Sequence, residues 1–220
     1  QQMSCFLAEG EHLVSELARA CQINQGFRES LLLVDDSFTG DVPSGFEIQS
    51  IPSSMMSRIS DTKTPQGIIA CVPKDSLPKG LKRYKQPETT AAVYLYQIQD
   101  PGNLGTILRT LAWFGNYQCL LSPGSVDPFN GKCVRSSMGA IYHVPIETQV
   151  EPAELSAHFS RIACLDMQGA SMNSADFHRA DCLVFGNEAR GLPATLVAEG
   201  RYQRFTIPGA GHIESLNLAS

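Results

Sequence analysis

The residues best suited to chemistry lie in three polar stretches, each of which follows an apolar run. The stretches read QDPGNLGTILRT (99–110), LVFGNEARGLP (183–193) and IPGAGHIESLN (207–217). The third places Ser215 and Asn217 two residues apart at a predicted helix entrance. Backbone N–H groups and short polar side chains at such an entrance hold phosphate or carboxylate well. The end of the chain is therefore a candidate binding site for an anionic group.

Arg109 is the charged candidate of the first stretch. Asn103 is predicted to cap the following helix, which would put Arg109 in its second turn, near the N-terminal end. The helix dipole disfavours a cation there, so we expect an anionic partner. The alternative is an ordinary asparagine cap followed by a surface arginine. The stretch matches neither a P-loop nor a Gly-x-Gly-x-x-Gly fingerprint.

The second stretch combines turn-forming residues with one unexplained acid. An apolar strand runs into Gly186 and Asn187, and both residues are explained by a simple strand–turn–helix connection. That connection gives no reason for Glu188 beside the turn. Glu188 is therefore a functional candidate.

Strands and helices alternate around these stretches, which predicts a parallel sheet covered on both faces. Gly115 is predicted to stop the first helix. Ligands bind such sheets beyond the carboxyl ends of the strands, where all three stretches should meet. The predicted strands are 91–98, 117–122, 161–167, 182–186 and 203–208, and the predicted helices are 103–115, 131–141 and 152–159.

The first part of the chain predicts a smaller α/β unit without an obvious catalytic cluster. A basic segment, residues 74–85, then leads into the second part, with the chain divided near residue 85. The segment is either a solvated linker or a hinge that faces phosphate. The predicted elements of the first part are a helix within 9–22, strands at 30–36, 45–51 and 66–72, and a helix at 52–60. The basic residues are Lys74, Lys79, Lys82, Arg83 and Lys85.

Composition excludes several classes of protein. The chain has 220 residues, 43% of them hydrophobic, and a net charge of −5, which argues against a protein that simply coats nucleic acid. The chain contains no run of eighteen apolar residues, so no membrane span is predicted. The N-terminus does not resemble a secretory signal. Seven cysteines without a Cys-x-x-Cys pair predict reduced, buried thiols in a cytosolic protein. The histidines lack metal-ligand spacing, so no metal is expected.

The three stretches together resemble the signature motifs of the SpoU (TrmH-type) RNA ribose 2′-O-methyltransferases. The matching segments are DPGNLGTILRT, LVFGNEARGL and IPGAGHIESLNLAS, in the family's order, with RSSMGAIYHVP between the first two. This similarity covers about residues 85–220. Residues 5–73 resemble, less specifically, the small substrate-binding domain that precedes the catalytic domain in many members.

The resemblance implies a SPOUT α/β-knot, a parallel sheet whose C-terminal part forms a trefoil knot, preceded by a small α/β, L30e-like substrate-binding domain. The implied domains are 1–75 for substrate RNA and 89–220 for methyl transfer, joined by a basic linker at 76–88. Members bind S-adenosylmethionine in the knot and act as homodimers with the site built across the interface. Relatives continue past the position of Ser220 into a further helix, so a continuation is expected here too.

Site residues follow from the matched motifs. The resemblance implies no metal, because the sulfonium of the methyl donor already activates the methyl group. The implied catalytic residues are Arg109, Glu188, Ser215 and Asn217. The implied cofactor-binding residues are Gly186, Asn187, Gly191, Ile207 and Leu216. The implied RNA-binding residues are Asn103, Arg109 and Ser215, and the basic segment adds Lys82 and Arg83 as candidates for contact with RNA.

The implied activity is S-adenosylmethionine-dependent methylation of a ribose 2′-hydroxyl in structured RNA of the 23S ribosomal type, in the cytoplasm. Methylation of transfer RNA is one alternative, and an RNA-binding module of the same fold without catalysis is another. The residues alone also allow a nucleotide-binding α/β protein unrelated to RNA.

Overall fold

The computed structural model of the protein describes residues 4–80, 91–193, 202–209 and 216–219, which form two β-sheets with packed helices. The first sheet has the strand order β1-β4-β2-β3. Strand β4 is antiparallel to both neighbours, and β2 and β3 run parallel. The strands are β1 (Cys5–Glu9), β2 (Leu31–Asp35), β3 (Glu47–Ile51) and β4 (Ile68–Pro73), and the helices are α1 (Glu11–Ala20) and α2 (Ser53–Ile59).

The sequence predicted every strand of this sheet except β1. Its residues alternate, with Phe6 and Ala8 buried and their neighbours largely exposed, which is the period of a half-buried strand. The alternation is not visible in the sequence, because Cys5, Phe6, Leu7 and Ala8 are all apolar, and Gly10 ends the strand directly before α1. Gly10 has a φ of 102°, a backbone conformation that glycine adopts without steric cost.

The second sheet is parallel throughout, as predicted, with the order β10-β8-β9-β5-β6-β7. Short elements at β7 and α6 were not predicted, because two to four residues are too few for a periodic signal. The strands are β5 (Ala91–Leu95), β6 (Tyr117–Leu121), β7 (Ile146–Glu147), β8 (Ile162–Ser171), β9 (Cys182–Phe185) and β10 (Tyr202–Thr206). The helices are α3 (Pro101–Phe114), α4 (Gly131–Ser137), α5 (Pro152–His158) and α6 (Ala175–His178).

Helix α3 begins two residues earlier than predicted. Asp100 is its N-cap and accepts a hydrogen bond from the Asn103 backbone N–H at 2.8 Å, and Pro101 occupies the first helical position. The prediction that Asn103 caps the helix is therefore wrong, since a proline that cannot donate is well suited to position N1. Arg109 is consequently the ninth residue of the helix and lies beyond its second turn. The helix ends at Gly115, as predicted.

Helix α4 is shorter than the predicted helix at 131–141. Met138 has a φ of 51° and ends it in the left-handed conformation, after which Ala140–Tyr142 form a 3-10 turn. Helices α3 and α4 cross closely at Gly105, where a Cβ atom would lie only 2.7 Å from the Cys133 carbonyl oxygen. The first functional stretch is thereby packed tightly against α4.

One hydrophobic cluster spans the junction between the two domains. Tyr142, which is 1% exposed, inserts among the residues of the first domain, and its hydroxyl donates to the Leu13 carbonyl oxygen at 3.2 Å. Its ring meets Phe27 edge-on at 5.6 Å between centroids. Across the same junction the rings of Phe6 and Phe129 lie 5.2 Å apart, and the Lys74 ammonium stands 4.2 Å from the Phe129 ring centroid. Lys74 therefore packs on the second domain.

Most, though not all, of the thiols match the prediction of buried cysteines. Cys5 is exposed and Cys71 is half-buried. Burial raises the pKa of Cys133 and of Cys164 to about 12, and it raises the pKa values of Cys119 and Cys182 further still. All seven cysteines are free, and the five buried ones are Cys21, Cys119, Cys133, Cys164 and Cys182.

Thiol labelling of the native protein should therefore occur in two stages. With Ellman's reagent near pH 8, Cys5 should react first and Cys71 more slowly, because the thiolate is the reactive form and burial raises the pKa of Cys71. The five buried thiols should react only after denaturation. Cys5→Ser should remove the fast phase, and rapid labelling of that variant would contradict the burial described here.

None of the described helices is long and apolar enough to cross a bilayer.

Candidate active site

The first and second functional stretches meet at the carboxyl edge of the parallel sheet. They follow β5 and β9, which are adjacent strands. The Tyr96 backbone N–H extends the ladder by donating to the Phe185 carbonyl oxygen at 2.9 Å. Beyond this point both segments leave the sheet as loops, and the side chains of the two loops face each other.

Asn187 organises the second loop from inside. Its side chain is 6% exposed, and its Oδ1 accepts hydrogen bonds from the backbone N–H groups of Ala189 and Arg190, both at 3.0 Å. A bridge between Asn187 and Gly191 closes the turn through bonds of 3.0 and 2.8 Å. Gly186 has no room for a side chain, because a Cβ atom there would collide with the Gly191 backbone. The second stretch therefore forms a rigid, closed loop.

Glu188 faces the first loop. Its Oε2 accepts from the Gln99 backbone N–H at 3.4 Å, and its Oε1 accepts from the Asn103 side-chain amide at 3.5 Å. Both contacts are longer than a typical N–H···O hydrogen bond and therefore weak, and Glu188 is exposed. The carboxylate thus has acceptor capacity left for a ligand. The structure thus brings Asn103 and Glu188, from two different stretches, into contact.

Gln97 connects the two loops, although the sequence did not single it out. Its backbone N–H donates to Ser122 Oγ at 2.8 Å, and its carbonyl oxygen accepts from the side-chain amides of Asn187 at 2.8 Å and Gln99 at 3.0 Å. Its own amide oxygen accepts from Arg190 Nη2 at 3.1 Å. Gln97 has a φ of 50°, and such strained residues outside glycine cluster at functional sites.

Asp100 fixes the start of α3 electrostatically. The backbone N–H of Asn103, followed by the Lys132 ammonium at 3.1 Å from Oδ2, holds the pKa of Asp100 below its usual range. Lys132 belongs to α4, so this ion pair ties the first loop to the neighbouring helix. Both side chains are about half-exposed, and the pair contributes orientation more than stability.

Arg109 lies apart from the Asn103–Glu188 contact. It is exposed on α3, six residues after Asn103, which corresponds to roughly 9 Å along a helix axis. Among the described residues its guanidinium has no hydrogen-bond or ion-pair partner. It shares the outer face of the helix with Trp113, one turn later, whose side chain is 86% exposed.

The third stretch is described only in part. Ile207 follows β10 and is 50% exposed, and Leu216 is 58% exposed. Asn217 Oδ1 accepts from the Ala219 backbone N–H at 2.8 Å, and Leu218 packs with Ala219 on the core beneath α3. The predicted residues Ser215, Lys82 and Arg83 lie outside the described residues.

Sequence reasoning missed the residues that position the site. Asp100 had a readable signal, because an acidic residue directly before a proline commonly marks a helix start. Gln97, Gln99 and Ser122 gave none, since ordinary polar residues at strand ends occur in every α/β protein. Arg190 lies within the second stretch, but no role is predicted for it from the sequence.

Several known proteins are similar to this chain in sequence or in structure. The chain is 31% identical over 221 residues to the 23S rRNA (guanosine(2553)-2′-O)-methyltransferase RlmP of Bacillus subtilis, covering 97% of this chain and 84% of the relative. An AdoMet-bound rRNA methyltransferase from Sinorhizobium meliloti aligns with a TM-score of 0.78 and 26% identity, over 98% of this chain and 82% of that one. A TrmH-family protein from Porphyromonas gingivalis aligns with a TM-score of 0.75 and 31% identity, over 98% of this chain and 85% of that one.

Family sequence profiles divide the chain in the same way as the two sheets. The profile of an MRM3-like substrate binding domain matches residues 1–70. The profile described as the SpoU rRNA Methylase family matches residues 90–220, more than half of the chain and all three functional stretches. The chain therefore belongs to the SpoU rRNA methylase family.

Proposed function

We propose that this protein transfers a methyl group from S-adenosylmethionine to a ribose 2′-hydroxyl in ribosomal RNA of the 23S type, in the cytoplasm. The observation that carries the proposal is the meeting of two distant stretches: Glu188 lies against Asn103 and the Gln99 backbone at the carboxyl edge of the sheet. The similarity to RlmP, which is named for this reaction, supports the substrate class.

The second and third stretches would hold the methyl donor. Ile207 and Leu216 are both exposed, and their apolar surface fits the apolar parts of the cofactor. Among the described residues no atom lies within 4 Å of where a Gly191 Cβ would stand, which leaves room for a ligand to approach this backbone. When bound, the donor supplies a methyl group already activated by a sulfonium centre. No step requires a metal.

Arg109 would act on the ribose. A 2′-hydroxyl is far from ionised at neutral pH, and a fixed positive charge beside it stabilises developing alkoxide character. Guanidinium hardly deprotonates, so Arg109 serves as an electrostatic and phosphate-positioning group. Ser215 would hold the neighbouring phosphate. Asn217 would order the third stretch by hydrogen bonds, like the one its Oδ1 accepts from the Ala219 backbone N–H.

A homodimer is part of the proposal. Trp113 and Phe114 are 86% and 71% exposed at the end of α3, and large aromatic residues of this kind are enriched at protein interfaces. Arg109 lies on the same face as Trp113 and has no partner among the described residues. A second copy packed on this face would bring Arg109 to the site of its neighbour.

The trefoil knot is also proposed. The chain leaves β10 at the edge of the sheet, yet Leu218 and Ala219 pack on the core formed by α3, β5 and β9. Leu218 and Ala219 therefore lie at the middle of the sheet and not at its β10 edge. A trefoil knot, as the family resemblance implies, would bring them there, against the general rule that chains are unknotted.

The decisive experiment is methyl transfer in vitro. The purified protein, incubated with radiolabelled S-adenosylmethionine and ribosomal RNA lacking its modifications, should label the large-subunit RNA at one ribose, mapped by resistance to alkaline cleavage. Transfer RNA in a parallel reaction should remain unlabelled. Labelling of transfer RNA alone, or binding of NAD or ATP with no binding of the methyl donor, would refute the proposal.

A further inference from the structure

The guanidinium of Arg190 is held in place but not neutralised. Its Nη2 donates to the amide oxygen of Gln97, a neutral group, at 3.1 Å. Among the described residues no carboxylate lies within ion-pair distance of Arg190. The nearest acid in sequence, Glu188, instead accepts from Gln99 and Asn103.

Both ends of Arg190 are fixed by hydrogen bonds. Its backbone N–H donates to the buried Asn187 side chain, and its guanidinium is anchored on Gln97. Gln97 is itself held in position, because its backbone N–H donates to Ser122 Oγ and its carbonyl oxygen accepts from the Asn187 side-chain amide. An exposed arginine normally loses considerable side-chain entropy on binding a ligand, and this arrangement reduces that loss. Four of its five N–H donors have no described partner.

The position of Arg190 matches that of a substrate contact. It follows β9 at the carboxyl edge of the sheet, two residues after Glu188, and Gln97 follows β5 at the same edge. A fixed, uncompensated guanidinium beside a site for RNA favours a phosphodiester, which it can hold with paired N–H donors.

We infer that Arg190, anchored by Gln97, binds a backbone phosphate of the RNA next to the methylated nucleotide and so positions the ribose. The inference rests on the proposed function, since it assumes RNA at this edge. It assigns a positioning role to Arg190, which lies within the second motif but is not among the site residues that the resemblance implies. The other anion that could reach Arg190 is the carboxylate of the methyl donor, and the two are separable by experiment.

The test compares Arg190→Gln with Arg161→Gln in the full-length protein. Arg161 is also exposed but precedes β8 at the opposite, amino edge of the sheet, so it is the matched control. Arg190→Gln should weaken binding of ribosomal RNA roughly tenfold. The slope of log affinity against log salt should become less steep by about 0.7, the value for one lost phosphate contact on a single strand.

Two further measurements separate charge from structure. Arg190→Lys keeps the charge and should retain the salt slope while losing part of the affinity. Gln97→Ala frees the guanidinium and should raise KM while leaving the salt slope near that of the wild type. The affinity for S-adenosylmethionine alone, measured by calorimetry, should be unchanged in every variant.

Each alternative outcome identifies what has failed. Equal effects of Arg190→Gln and Arg161→Gln, or an unchanged salt slope in Arg190→Gln, would overturn the inference. Loss of affinity for the methyl donor with RNA binding intact would also overturn it and would assign Arg190 to the cofactor. Absence of methyl transfer by the wild-type protein would instead refute the proposed function.

Discussion

Replacing Arg109 with alanine should reduce methyl transfer by about 10²- to 10³-fold, the usual cost of removing one group that stabilises developing charge. Arg109 has no described partner in its own chain, and its exposed side chain contributes little to the core. Folding should therefore be unaffected. RNA binding should fall far less than the rate, because the guanidinium is needed chiefly where the 2′-oxygen gains negative charge.

Single-turnover rates and RNA affinity, measured on the same preparations, check this expectation. Arg109→Lys should recover part of the rate, and Arg161→Ala should behave as the wild type does. A variant that loses RNA binding and rate in equal proportion would show that Arg109 only anchors RNA. Full activity of Arg109→Ala would remove Arg109 from the site.

Mixing two inactive variants tests whether the site is shared between copies. If Arg109 of one subunit completes the site of its partner, Arg109→Ala and Asn217→Ala chains, unfolded together and refolded, should recover about a quarter of the wild-type activity. Half of the random dimers would be mixed, each with one intact site. No recovery would argue that Arg109 and Asn217 act within the same chain.

Tyr142→Ala should be the most destabilising single substitution at the domain junction. Removing a buried aromatic ring costs about 3–5 kcal/mol in the free energy of unfolding. The Tyr142 side chain packs among residues of the first domain, so the loss should affect both domains together. Urea unfolding followed by circular dichroism should show one transition for the wild type, shifted to lower urea in the variant.

Tyr142→Phe is the matched control. It keeps the ring and removes only the bond to the Leu13 carbonyl oxygen, so it should cost about 1 kcal/mol. Two separate unfolding transitions in the wild-type protein would contradict a shared core. An Ala variant as stable as the Phe variant would show that the ring contributes little there.

The sequence predicted the elements with long periodic patterns and the types of residue in the site. The parallel sheet and the end of α3 at Gly115 followed from apolar periodicity and glycine chemistry. The acid at Glu188 was identified because a turn alone gave no reason for it. The motifs then grouped Glu188 with Asn103, and the structure brings these two together.

The remaining features depended on contacts between distant parts of the chain. Gln97 binds Ser122, Asn187 and Arg190, which are 25 to 93 positions away, and no local pattern records such bonds. The role of Tyr142 at the junction could not be predicted for the same reason, because its partner Leu13 is 129 positions away. The error at the start of α3 was local, since Asp100 and Asn103 are both good caps and only Pro101 distinguishes them.

The continuous core at Tyr142 has a consequence for the choice of RNA. Because Phe6 packs against Phe129 and both Phe6 and Phe27 pack against Tyr142 across the junction, the proposed RNA contact surfaces of the two domains would be held at one fixed separation. A transcript would then need both its recognition element and its target ribose at that one separation. Inserting base pairs between them should abolish modification even when each part of the RNA is intact.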